Sequence, residues 1–326
     1  MTSRKILITG GSGFIGTNYI DLLRMAPLVS ITNVDRVPPR ETEHFPYWAE
    51  CDILDAAALL KIVKRTEPTE LVHLAARTDM LGKTLEDYAA NSIGTGNVVE
   101  AVRATPSIQR AIFTSTQYVV GPGPLPQHDE EFRPHTIYGQ SKVISEKIVR
   151  NAGLTCCWTI IRPTNIWGRW HPRYPAEFWR VLKQGKYLHP GSQPVIRSYG
   201  YVRTVIGQIE QILASPPEQV HRRTFYVGDP SLNLLEWVNA FSIELSSRPV
   251  RVVPRWVVRA LAWLGDGLKA CGINFPIFTS RYHSMTEDYD TPMEATFATL
   301  GKPSISLHQG VRETVEWLRR QDEFWR

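Results

Sequence analysis

Short apolar runs alternate with amphipathic stretches along the first half of the chain. Consecutive apolar residues bounded by turn signals predict strands at residues 6–8, 31–35, 71–74, 111–114 and 159–161. Apolar residues that recur every three or four positions predict helices at residues 15–25, 56–64, 85–103 and 137–151. Strands that alternate with helices are typical of an α/β fold, in which a parallel sheet carries helices on both faces.

This regular alternation weakens after residue 166. Residues 167–194 mix Gly, Pro, Trp and basic residues, and we expect a loop there with a short helix at residues 176–183. A strand is predicted at residues 222–227, and helices at residues 234–245, 254–269 and 311–320. The helix at residues 254–269 has an apolar face, which we expect to pack on the protein's own core, with a membrane surface as the alternative partner. That face consists of Trp256, Val257, Ala260, Leu261, Leu264 and Leu268.

Composition narrows the class of protein. The 326 residues are 43% hydrophobic and 21% charged, which is typical of a folded, soluble chain of about two domains. The net charge of +5 suits anionic ligands but is too diffuse to indicate nucleic acid binding. No apolar run is long enough to span a bilayer, and the first strand begins too early to leave room for a signal peptide. We therefore expect a cytoplasmic protein without a membrane span.

The cysteines and histidines form no metal-binding pattern. The four cysteines, Cys51, Cys156, Cys157 and Cys271, contain no CxxC pair, and the nine histidines show no HxxxH spacing. We therefore expect reduced thiols and no metal site.

A glycine-rich segment, TGGSGFIG at residues 9–16, lies between the first predicted strand and the first predicted helix. It satisfies GxGxxG through Gly11, Gly13 and Gly16, and GxxGxxG through Gly10, Gly13 and Gly16. Glycines at these positions permit a tight turn and let the backbone approach a pyrophosphate, which then faces the free N–H groups at the helix N-terminus. The segment therefore predicts a dinucleotide cofactor.

Charged residues after the second strand bear on which dinucleotide binds. Asp35 ends that strand about 20 residues after the glycines, where a carboxylate accepts hydrogen bonds from the adenosine ribose and repels a 2′-phosphate. NAD is therefore favoured, although the adjacent Arg36 suits the phosphate of NADP, so that both cofactors stay open. Asp52 and Ile53 follow the next strand-like run and are candidates to frame the adenine, with a helix cap as the alternative role for Asp52.

Tyr138 and Lys142 lie four residues apart on the helix predicted at residues 137–151, and therefore share one face of it. An ammonium group beside a phenol lowers the pKa of the phenol, which can then act as an acid or base for a substrate hydroxyl or carbonyl. A strand end rich in hydroxyl groups, FTSTQYVVG at residues 113–121, lies between the glycine loop and this helix. The combination indicates a catalytic site that uses the dinucleotide.

The chain resembles the extended short-chain dehydrogenases/reductases of the NAD-dependent epimerase/dehydratase family. The resemblance covers nearly the whole chain and is carried by TGGSGFIG, NVD, CDILD, HLAA, NSIGTGNVVEA, FTSTQYVVG, YGQSK, RPTNIWG and LGKPSISLHQGVRETVEWL. It implies a Rossmann-type doubly wound sheet of about seven parallel strands with a smaller C-terminal substrate-binding domain. The NAD-binding domain is then expected at residues 1–166 and 195–228, and the substrate-binding domain at residues 167–194 and 229–326. The resemblance also implies a homodimer formed through the helices at residues 85–103 and 137–151.

The same resemblance implies roles for individual residues. The family's catalytic hydroxyl falls on Thr116, with Ser115 as the alternative, and its acid/base and lysine fall on Tyr138 and Lys142. The candidate cofactor contacts are Gly10, Gly13, Phe14, Ile15, Gly16, Asp35, Arg36, Asp52, Ile53, Leu74, Ala75, Ala76, Thr114, Tyr138, Lys142 and Pro163. The candidate substrate contacts are Thr116, Gln117, Asn165, Arg197 and Arg281.

The residues after Thr116 distinguish among the reactions of the family. All members first move a hydride between a carbinol carbon and the nicotinamide, but sugar 4,6-dehydratases carry an additional acid and base, an Asp-Glu pair, directly after the catalytic threonine. Gln117 and Tyr118 occupy those positions, and neither is a ready proton donor and acceptor at neutral pH. Related decarboxylases carry a Glu at the position of Gln117. We therefore expect neither dehydratase nor decarboxylase activity.

The favoured interpretation is an NAD-dependent nucleotide-sugar epimerase. Arg197 matches a family arginine that clamps a diphosphate, and Asn165 matches a position that contacts the substrate's phosphates. However, Arg203 and Thr204 stand where the family usually has an Asp, and RYHSM at residues 281–285 departs from an RxGD pattern. The alternatives are a reductase or dehydrogenase of a keto sugar or sterol-like alcohol, and a non-catalytic dinucleotide-binding sensor.

Two further features have more than one interpretation. The insert that contains Trp167, Trp170 and Trp179 suits either stacking on a base or sugar ring, or packing under a lid. His73, in VHLAA, is expected to be a structural residue at a strand end and not a catalytic one.

Overall fold

The structure is a computed structural model that describes residues 4–270, 272–273 and 275–321. Its strands are β1 (Arg4–Thr9), β2 (Val29–Asp35), β3 (Trp48–Glu50), β4 (Glu70–His73), β5 (Arg110–Thr114), β6 (Cys157–Pro163), β7 (Asn165–Trp167), β8 (Leu188–Pro190), β9 (Ile196–Arg197), β10 (Tyr199–Tyr201), β11 (Arg223–Val227), β12 (Leu232–Asn233) and β13 (Arg251–Val253). The central sheet has seven of these strands, in the order β11-β6-β5-β4-β1-β2-β3. All its neighbouring strands pair in parallel, which confirms the predicted fold class.

Helices of the described residues cover the sheet and build the C-terminal part of the chain. They are α1 (Phe14–Leu23), α2 (Ala56–Thr66), α3 (Thr95–Arg103), α4 (Ile137–Asn151), α5 (Arg180–Lys183), α6 (Val202–Ala214), α7 (Pro217–Val220), α8 (Leu234–Ser246), α9 (Arg255–Ala270), α10 (Thr279–Thr286), α11 (Glu294–Leu300) and α12 (Leu307–Arg319). The bounds of α4 agree with the prediction because Thr136 caps it, its hydroxyl accepting a hydrogen bond from the Gly139 N–H.

Alternate residues of each strand enter separate cores on the two faces of the sheet. Ile6 and Ile8 of β1 lie in the core that also contains α1 and α6 residues, whereas Leu7 between them lies in the core with α2 and α3 residues. Leu7 and Ile8 are both fully buried. Because both faces are covered, these strands appear in the sequence as continuous apolar runs.

The order of the strands reverses between β1 and β4. From β1 the sheet grows in one direction through β2 and β3, and the chain then crosses back to add β4, β5, β6 and β11 in the other direction. In open α/β sheets the crevice at the carboxyl ends of the strands, at such a reversal, is where ligands bind. The glycine segment at residues 9–16 begins at the end of β1 and therefore lies at this crevice.

A third core is formed by residues from the second half of the chain and includes the Trp-rich insert. Trp167 and Trp179 are 1% and 0% exposed, and both rings contact Phe241 of α8. Trp170 packs edge-on against Trp317 of α12, with ring centroids 5.1 Å apart. Of the two interpretations of the insert, the structure therefore supports packing.

The single long helix predicted at residues 85–103 is wrong. A 3₁₀ turn at Glu86–Tyr88 and a π-helical turn at Ala90–Gly94 precede α3. The Asn91 carbonyl accepts hydrogen bonds from the hydroxyls of Thr95 and of Ser145 on α4. The hydrogen bond from α4 thus competes with the regular backbone hydrogen bonds of an α-helix at this carbonyl. Single π-helical turns occur where such local contacts interrupt an α-helix.

The helix predicted at residues 254–269 is present as α9, but its predicted inward face is only partly correct. Val257, Leu261 and Leu268 are half-buried, whereas Trp256, Ala260 and Leu264 are exposed. The buried residues of α9 are Val258, Ala262 and Gly265. A Cβ atom on Gly265 would lie 1.8 Å from the Ile277 carbonyl oxygen, so this face is adapted to close contact with the chain that leads into α10. Trp256 is 72% exposed and faces solvent.

The strand-like run before Asp52 is β3. Several other elements were absent from the prediction, namely the short strands β7–β10, β12 and β13, and the helices α6, α7, α10 and α11. The α6 pattern is weakened by Gly207, yet its apolar face, which includes Val205 and Ile209, packs on the sheet. Within residues 4–270, 272–273 and 275–321, no helix is both long enough and apolar enough to cross a membrane, and no group of three potential ligands is placed to hold a metal ion. Cys51, Cys156 and Cys157 are free thiols, and Cys271 lies outside the described residues.

Candidate active site

The loop between β1 and α1 has a backbone shape that only glycine permits at its critical positions. Gly10 has φ +78°, and a Cβ atom on it would lie 2.6 Å from the backbone nitrogen of Ala75. A Cβ atom on Gly16 would lie 2.4 Å from the Gly10 carbonyl oxygen. The first N–H groups of a helix have no intrahelical partner, and at α1 the N-cap residue is Gly13, which has no side chain to bind them. This cradle fits the pyrophosphate of a dinucleotide, because it offers backbone donors without side chains in the way.

Other predicted cofactor residues surround this loop. The Leu74 N–H donates to the Thr9 carbonyl at 2.9 Å, and the Ala75 N–H donates to the Thr9 hydroxyl at 3.4 Å, so the chain after β4 lies directly beside Gly10. Phe14 packs edge-on against His171, with ring centroids 5.1 Å apart. The other predicted cofactor contacts lie on nearby elements. Ile15 and Gly16 are on α1, Ala76 follows β4, and Thr114 and Pro163 end β5 and β6.

Asp35 is tied to the glycine loop by hydrogen bonds. Its carboxylate accepts from the N–H groups of Ser12 at 3.0 Å and Val37 at 3.1 Å, while burial raises the pKa of the carboxyl. Arg36 is 72% exposed and pairs with Asp52 at 3.5 Å. A carboxylate at the loop, with the neighbouring arginine engaged elsewhere, fits NAD better than NADP.

The helix-cap alternative for Asp52 is wrong. The cap of α2 is Asp55, whose carboxylate accepts from the Ala58 N–H at 2.9 Å. Asp52 instead accepts from the Leu54 N–H at 3.0 Å, which shapes the turn before the helix. Ile53 is 5% exposed and is buried against Gly94, since a Cβ atom on Gly94 would lie 2.5 Å from the Ile53 side chain.

The three predicted catalytic residues converge near the carboxyl end of β5. The Thr116 hydroxyl lies close enough to the Tyr138 phenol to favour its charged form, and Tyr138 and Lys142 lie one turn apart on α4. Tyr138 is 7% and Lys142 1% exposed. The hydroxyls of Thr114 and Ser115 have no partner among the described residues, so Thr116 is the hydroxyl of FTSTQYVVG that contacts the phenol.

Burial dominates the electrostatics of this cluster. It raises the pKa of Tyr138, and the nearby Thr116 hydroxyl offsets only part of that effect. The expected lowering of the phenol's pKa by Lys142 is therefore not found. Burial lowers the pKa of Lys142 to about 8, against the opposing effect of Glu146, so that the ammonium form still predominates at neutral pH.

His73 lies at the end of β4, as expected for a structural and not a catalytic residue. Its Nδ1 lies 2.7 Å from the Thr9 hydroxyl and its Nε2 lies 3.1 Å from the Thr95 hydroxyl, so both ring nitrogens are engaged. Burial, with the charge of Lys142, lowers the pKa of His73 to about 3. The ring is therefore neutral and links β1, β4 and α3.

Polar groups without partners lie close to the cluster. The Gln117 side chain is 1% exposed, and both its amide oxygen and its amide nitrogen lack a hydrogen-bond partner in the described part of the chain. The Tyr118 hydroxyl donates to the Asn165 side-chain oxygen at 3.3 Å, and its ring contacts that of Tyr138 at 6.2 Å between centroids. Asn165 is thus connected to the catalytic cluster through Tyr118.

Arg197 is a buried cation that meets aromatic rings and, within the described ranges, no carboxylate. It is 7% exposed, lies 5.5 Å from the ring of Tyr289, and donates to the Glu287 carbonyl at 3.2 Å. Its Nε has no partner among the described residues. Because a buried charge is costly unless it is paired, this guanidinium is suited to an anionic ligand.

Arg281 is placed differently from Arg197. Its guanidinium donates to the Pro276 carbonyl at 2.8 Å and pairs with Glu177 at 3.5 Å. These contacts engage its guanidinium and do not join it to Arg197 or Tyr118.

Tyr289 and Arg40 belong to the site but were missed in the sequence. The Tyr289 hydroxyl donates to the carbonyls of Gln117 at 3.2 Å and Val120 at 2.6 Å, and thereby fixes the chain after Thr116. Arg40 donates to the Ser12 carbonyl at 3.3 Å, beside the glycine loop. Neither residue lies in a pattern that indicates this role, because both reach the site from distant parts of the chain.

The glycine cradle at the reversal of a doubly wound sheet, together with the hydroxyl, phenol and ammonium beside it, defines a Rossmann-type protein built for chemistry with a dinucleotide. The chain belongs to the NAD dependent epimerase/dehydratase family, whose sequence model matches residues 6–228. This confirms the resemblance found in the sequence. NAD is the cofactor that the family uses, and the cradle and Asp35 fit it.

Relatives and solved structures agree with this assignment. The chain is 28% identical to the N-acetyl-alpha-D-glucosaminyl-diphospho-ditrans,octacis-undecaprenol 4-epimerase of Escherichia coli O157:H7, over 75% of this chain and 73% of that protein. It is 27% identical to the 3-beta-hydroxysteroid dehydrogenase of Mycolicibacterium neoaurum, over 79% and 75% respectively. It shares the fold of the UDP-glucose 4-epimerase of Thermus thermophilus, solved in complex with NAD, with a TM-score of 0.72, 22% identity and coverage of 97% and 99% of the two chains.

Proposed function

We propose that this protein is an NAD-dependent epimerase of a sugar that carries a diphosphate, with a nucleotide sugar as the leading substrate. The observation that carries the proposal is the contact of Thr116 with Tyr138, one helical turn from Lys142 and beside the cofactor loop. An epimerase removes and returns hydrogen at one carbinol carbon, so it needs an acid/base group for the hydroxyl but no second acid/base pair.

The roles of the three residues follow from their chemistry. NAD, when bound, supplies the acceptor and donor of the hydride. Tyr138 takes the proton of the sugar hydroxyl as the alcohol becomes a ketone, and returns it when the hydride is delivered to the other face. Thr116 is assigned to orient the phenol, because its hydroxyl is close enough to favour the charged form of Tyr138. To take that proton Tyr138 must start the step as a phenolate, although burial raises its pKa in the protein alone. Lys142, in its ammonium form one helical turn away, is the cation that we assign to stabilise this phenolate when cofactor and substrate are bound.

The substrate's diphosphate is assigned to Arg197. A planar guanidinium recognises phosphate oxygens through paired hydrogen bonds, and this one is buried with its Nε unpartnered in the described part of the chain. Gln117, with both amide atoms likewise unpartnered, and Asn165 supply neutral hydrogen bonds nearby. A sterol would leave Arg197 buried without an anion, which is why the dehydrogenase of a sterol-like alcohol is the weaker candidate. Sugar diphosphates occur on nucleotides and, in the Escherichia coli relative, on a lipid carrier.

The oligomeric state and location are further parts of the proposal. We expect a homodimer formed through the helical segments at residues 85–103 and 137–151, and a cytoplasmic location. Arg281, because it is already paired with Glu177, is assigned at most a secondary contact with the substrate.

The proposal is tested by incubating the purified protein with UDP-, GDP- and dTDP-sugars and following the products by NMR. We expect one sugar to be converted into its epimer without net formation of NADH, and Tyr138→Phe to reduce the rate about 100-fold or more while NAD binding is retained. Arg197→Met is expected to raise KM about tenfold or more with a smaller effect on kcat, because a positioned charge is lost. Arg197→Lys should recover part of this loss.

Two other results of these assays would indicate a different function. Stoichiometric NADH formed from an alcohol would show a dehydrogenase. A biological activity that survives Tyr138→Phe would show a dinucleotide-binding sensor.

A further inference from the structure

The loop that follows β7, at residues 168–174, is tied to the far side of the cofactor crevice. Arg40, from the loop after β2, donates through its Nη1 to the Trp170 carbonyl at 3.2 Å. Its Nε donates to the Ser12 carbonyl of the glycine loop at 3.3 Å. One guanidinium therefore joins three segments of the chain, which follow β1, β2 and β7. We call residues 168–174 the crossing loop.

The first turns of α1 hold the crossing loop at a second point. Asn18 is 1% exposed, and its side-chain amide donates to the Arg169 carbonyl at 3.0 Å and to the Phe14 carbonyl at 2.9 Å. The ring of Phe14 packs edge-on against that of His171, with centroids 5.1 Å apart. The crossing loop thus contacts the residue directly after Gly13, the N-cap of α1 in the pyrophosphate cradle.

The backbone of the crossing loop has a conformation that its residues do not favour. Trp170 has φ +68°, in the left-handed region that a bulky residue rarely occupies. Its carbonyl is bound by Arg40, and its ring packs against that of Trp317 on α12, with centroids 5.1 Å apart. Local strain of this kind persists only where the surrounding contacts impose it, and it is frequent at ligand clamps.

The other end of the crossing loop belongs to the third core. The ring of His171 stacks on that of Tyr174, with centroids 3.8 Å apart, and Tyr174 contacts Trp237 of α8. Trp237 stacks on Tyr199, with centroids 4.4 Å apart, and Tyr199 lies two residues after Arg197. The crossing loop therefore links the glycine loop with the part of the chain that carries the proposed diphosphate contact.

We propose that Arg40 is a positioning residue that fastens the crossing loop across the cofactor crevice and thereby slows the exchange of NAD. The crevice lies at the reversal between β1 and β4, and β2 and β6 lie on opposite sides of it. A dinucleotide held between loops from both sides leaves only when one of them moves, and the hydrogen bonds of Arg40 oppose that movement. The proposal rests on NAD as the cofactor and not on which reaction the site performs.

A direct contact between the charge of Arg40 and a cofactor phosphate is the alternative role. However, two nitrogens of this guanidinium, Nε and Nη1, are already engaged by backbone carbonyls of two different loops. Such a bridge depends on the rigid fork of donors that a guanidinium provides. A lysine would keep the charge but has a single nitrogen on a flexible stem. Arg40→Lys therefore separates the two roles.

The test is the rate of cofactor release, measured without substrate. The full chain is loaded with NADH and mixed rapidly with excess NAD, and the loss of NADH fluorescence gives the dissociation rate. Arg40→Met should raise this rate about tenfold or more, because two hydrogen bonds from a charged donor are lost, and should not slow association. Arg40→Lys should behave like Arg40→Met, and Asn18→Ala should also speed release. Arg65→Met, an exposed arginine at the end of α2, is the matched control and should leave the rate unchanged.

The unfolding midpoint of nucleotide-free Arg40→Met should stay close to that of the wild type, because Arg40 is exposed. A dissociation rate that Arg40→Met leaves unchanged, or that Arg65→Met raises equally, would overturn the proposal. A wild-type rate in Arg40→Lys would overturn it in favour of a direct charge contact with the cofactor. Failure to epimerise any sugar in the NMR assay would refute the proposed function but would not alter these rates.

Discussion

The Lys142 ammonium is expected to destabilise the fold while it serves the candidate site, and Lys142→Met should therefore yield a more stable but inactive protein. Lys142 is 1% exposed, and burial lowers its pKa from the ordinary 10.5 to about 8. At about 1.4 kcal/mol per pH unit, this difference corresponds to about 3 kcal/mol that favours unfolding at pH 7. Methionine fills similar space without charge. The Glu146 carboxylate is not orphaned by the change, because Arg162 binds both of its oxygens at 2.8 Å.

The gain in stability from Lys142→Met should depend on pH. Because the folded pKa is lower than the unfolded one, the unfolded chain binds the additional proton between about pH 8 and 10.5, and wild-type stability at this site rises across that window. The advantage of Lys142→Met should thus be about 3 kcal/mol at pH 7 and should disappear as the pH approaches 10.5.

The measurement is urea unfolding of nucleotide-free protein, followed by tryptophan fluorescence at pH 7 and near pH 10. Lys147→Met, an exposed lysine on the same helix, is the matched control and should change the free energy of unfolding by about 0.5 kcal/mol or less. A Lys142→Met variant that is less stable than the wild type at pH 7, or a gain that does not change with pH, would refute the reasoning.

Two further predictions concern the cofactor loop and the ion pair behind α4. Gly16→Ala should weaken NAD binding, measured by calorimetry, about tenfold or more, because its Cβ would lie 2.4 Å from the Gly10 carbonyl oxygen. Gly96→Ala, which meets no atom within 4 Å, should leave affinity unchanged, and equal loss in both variants would contradict the steric argument. Arg162→Met should cost up to about 3–5 kcal/mol in urea unfolding, because the buried Glu146 then keeps only its longer contact with Arg150, at 3.5 Å. Adding Glu146→Gln should restore much of that loss, and a further loss instead would contradict it.

The patterns that were interpreted correctly are local ones. The glycine loop is recognisable because a strand, a tight turn and a helix follow each other within a few residues, and each requires particular residue types. Tyr138 and Lys142 were paired correctly because a spacing of four places two side chains on one face of any helix. Six of the seven parallel strands followed from apolar runs whose two faces are both covered, and the family resemblance implied the number seven.

The errors arose where a distant part of the chain decided the outcome. The Asn91 carbonyl is held by the Ser145 hydroxyl from 54 residues away, and the regular helix predicted there becomes a π-helical turn. The cap of α2 is Asp55 and not Asp52, a difference of three residues that depends on where the helix starts after β3. Tyr289 reaches the chain after Thr116 from 172 residues away, through a contact that no sequence spacing reveals.

The sequence by itself determined the class of fold, the cofactor loop and the Tyr138–Lys142 pair, because each depends on neighbours along the chain. Only the tertiary structure decided which hydroxyl of FTSTQYVVG meets the phenol, since Thr114, Ser115 and Thr116 are equivalent until β5 and α4 are packed. It also decided that burial outweighs Lys142 in setting the pKa of Tyr138, and that Arg197 meets no carboxylate among the residues the structure describes. The direction of Trp256 and Trp263 was decided in the same way, because an amphipathic pattern shows that a helix has two faces but not which of them the protein covers.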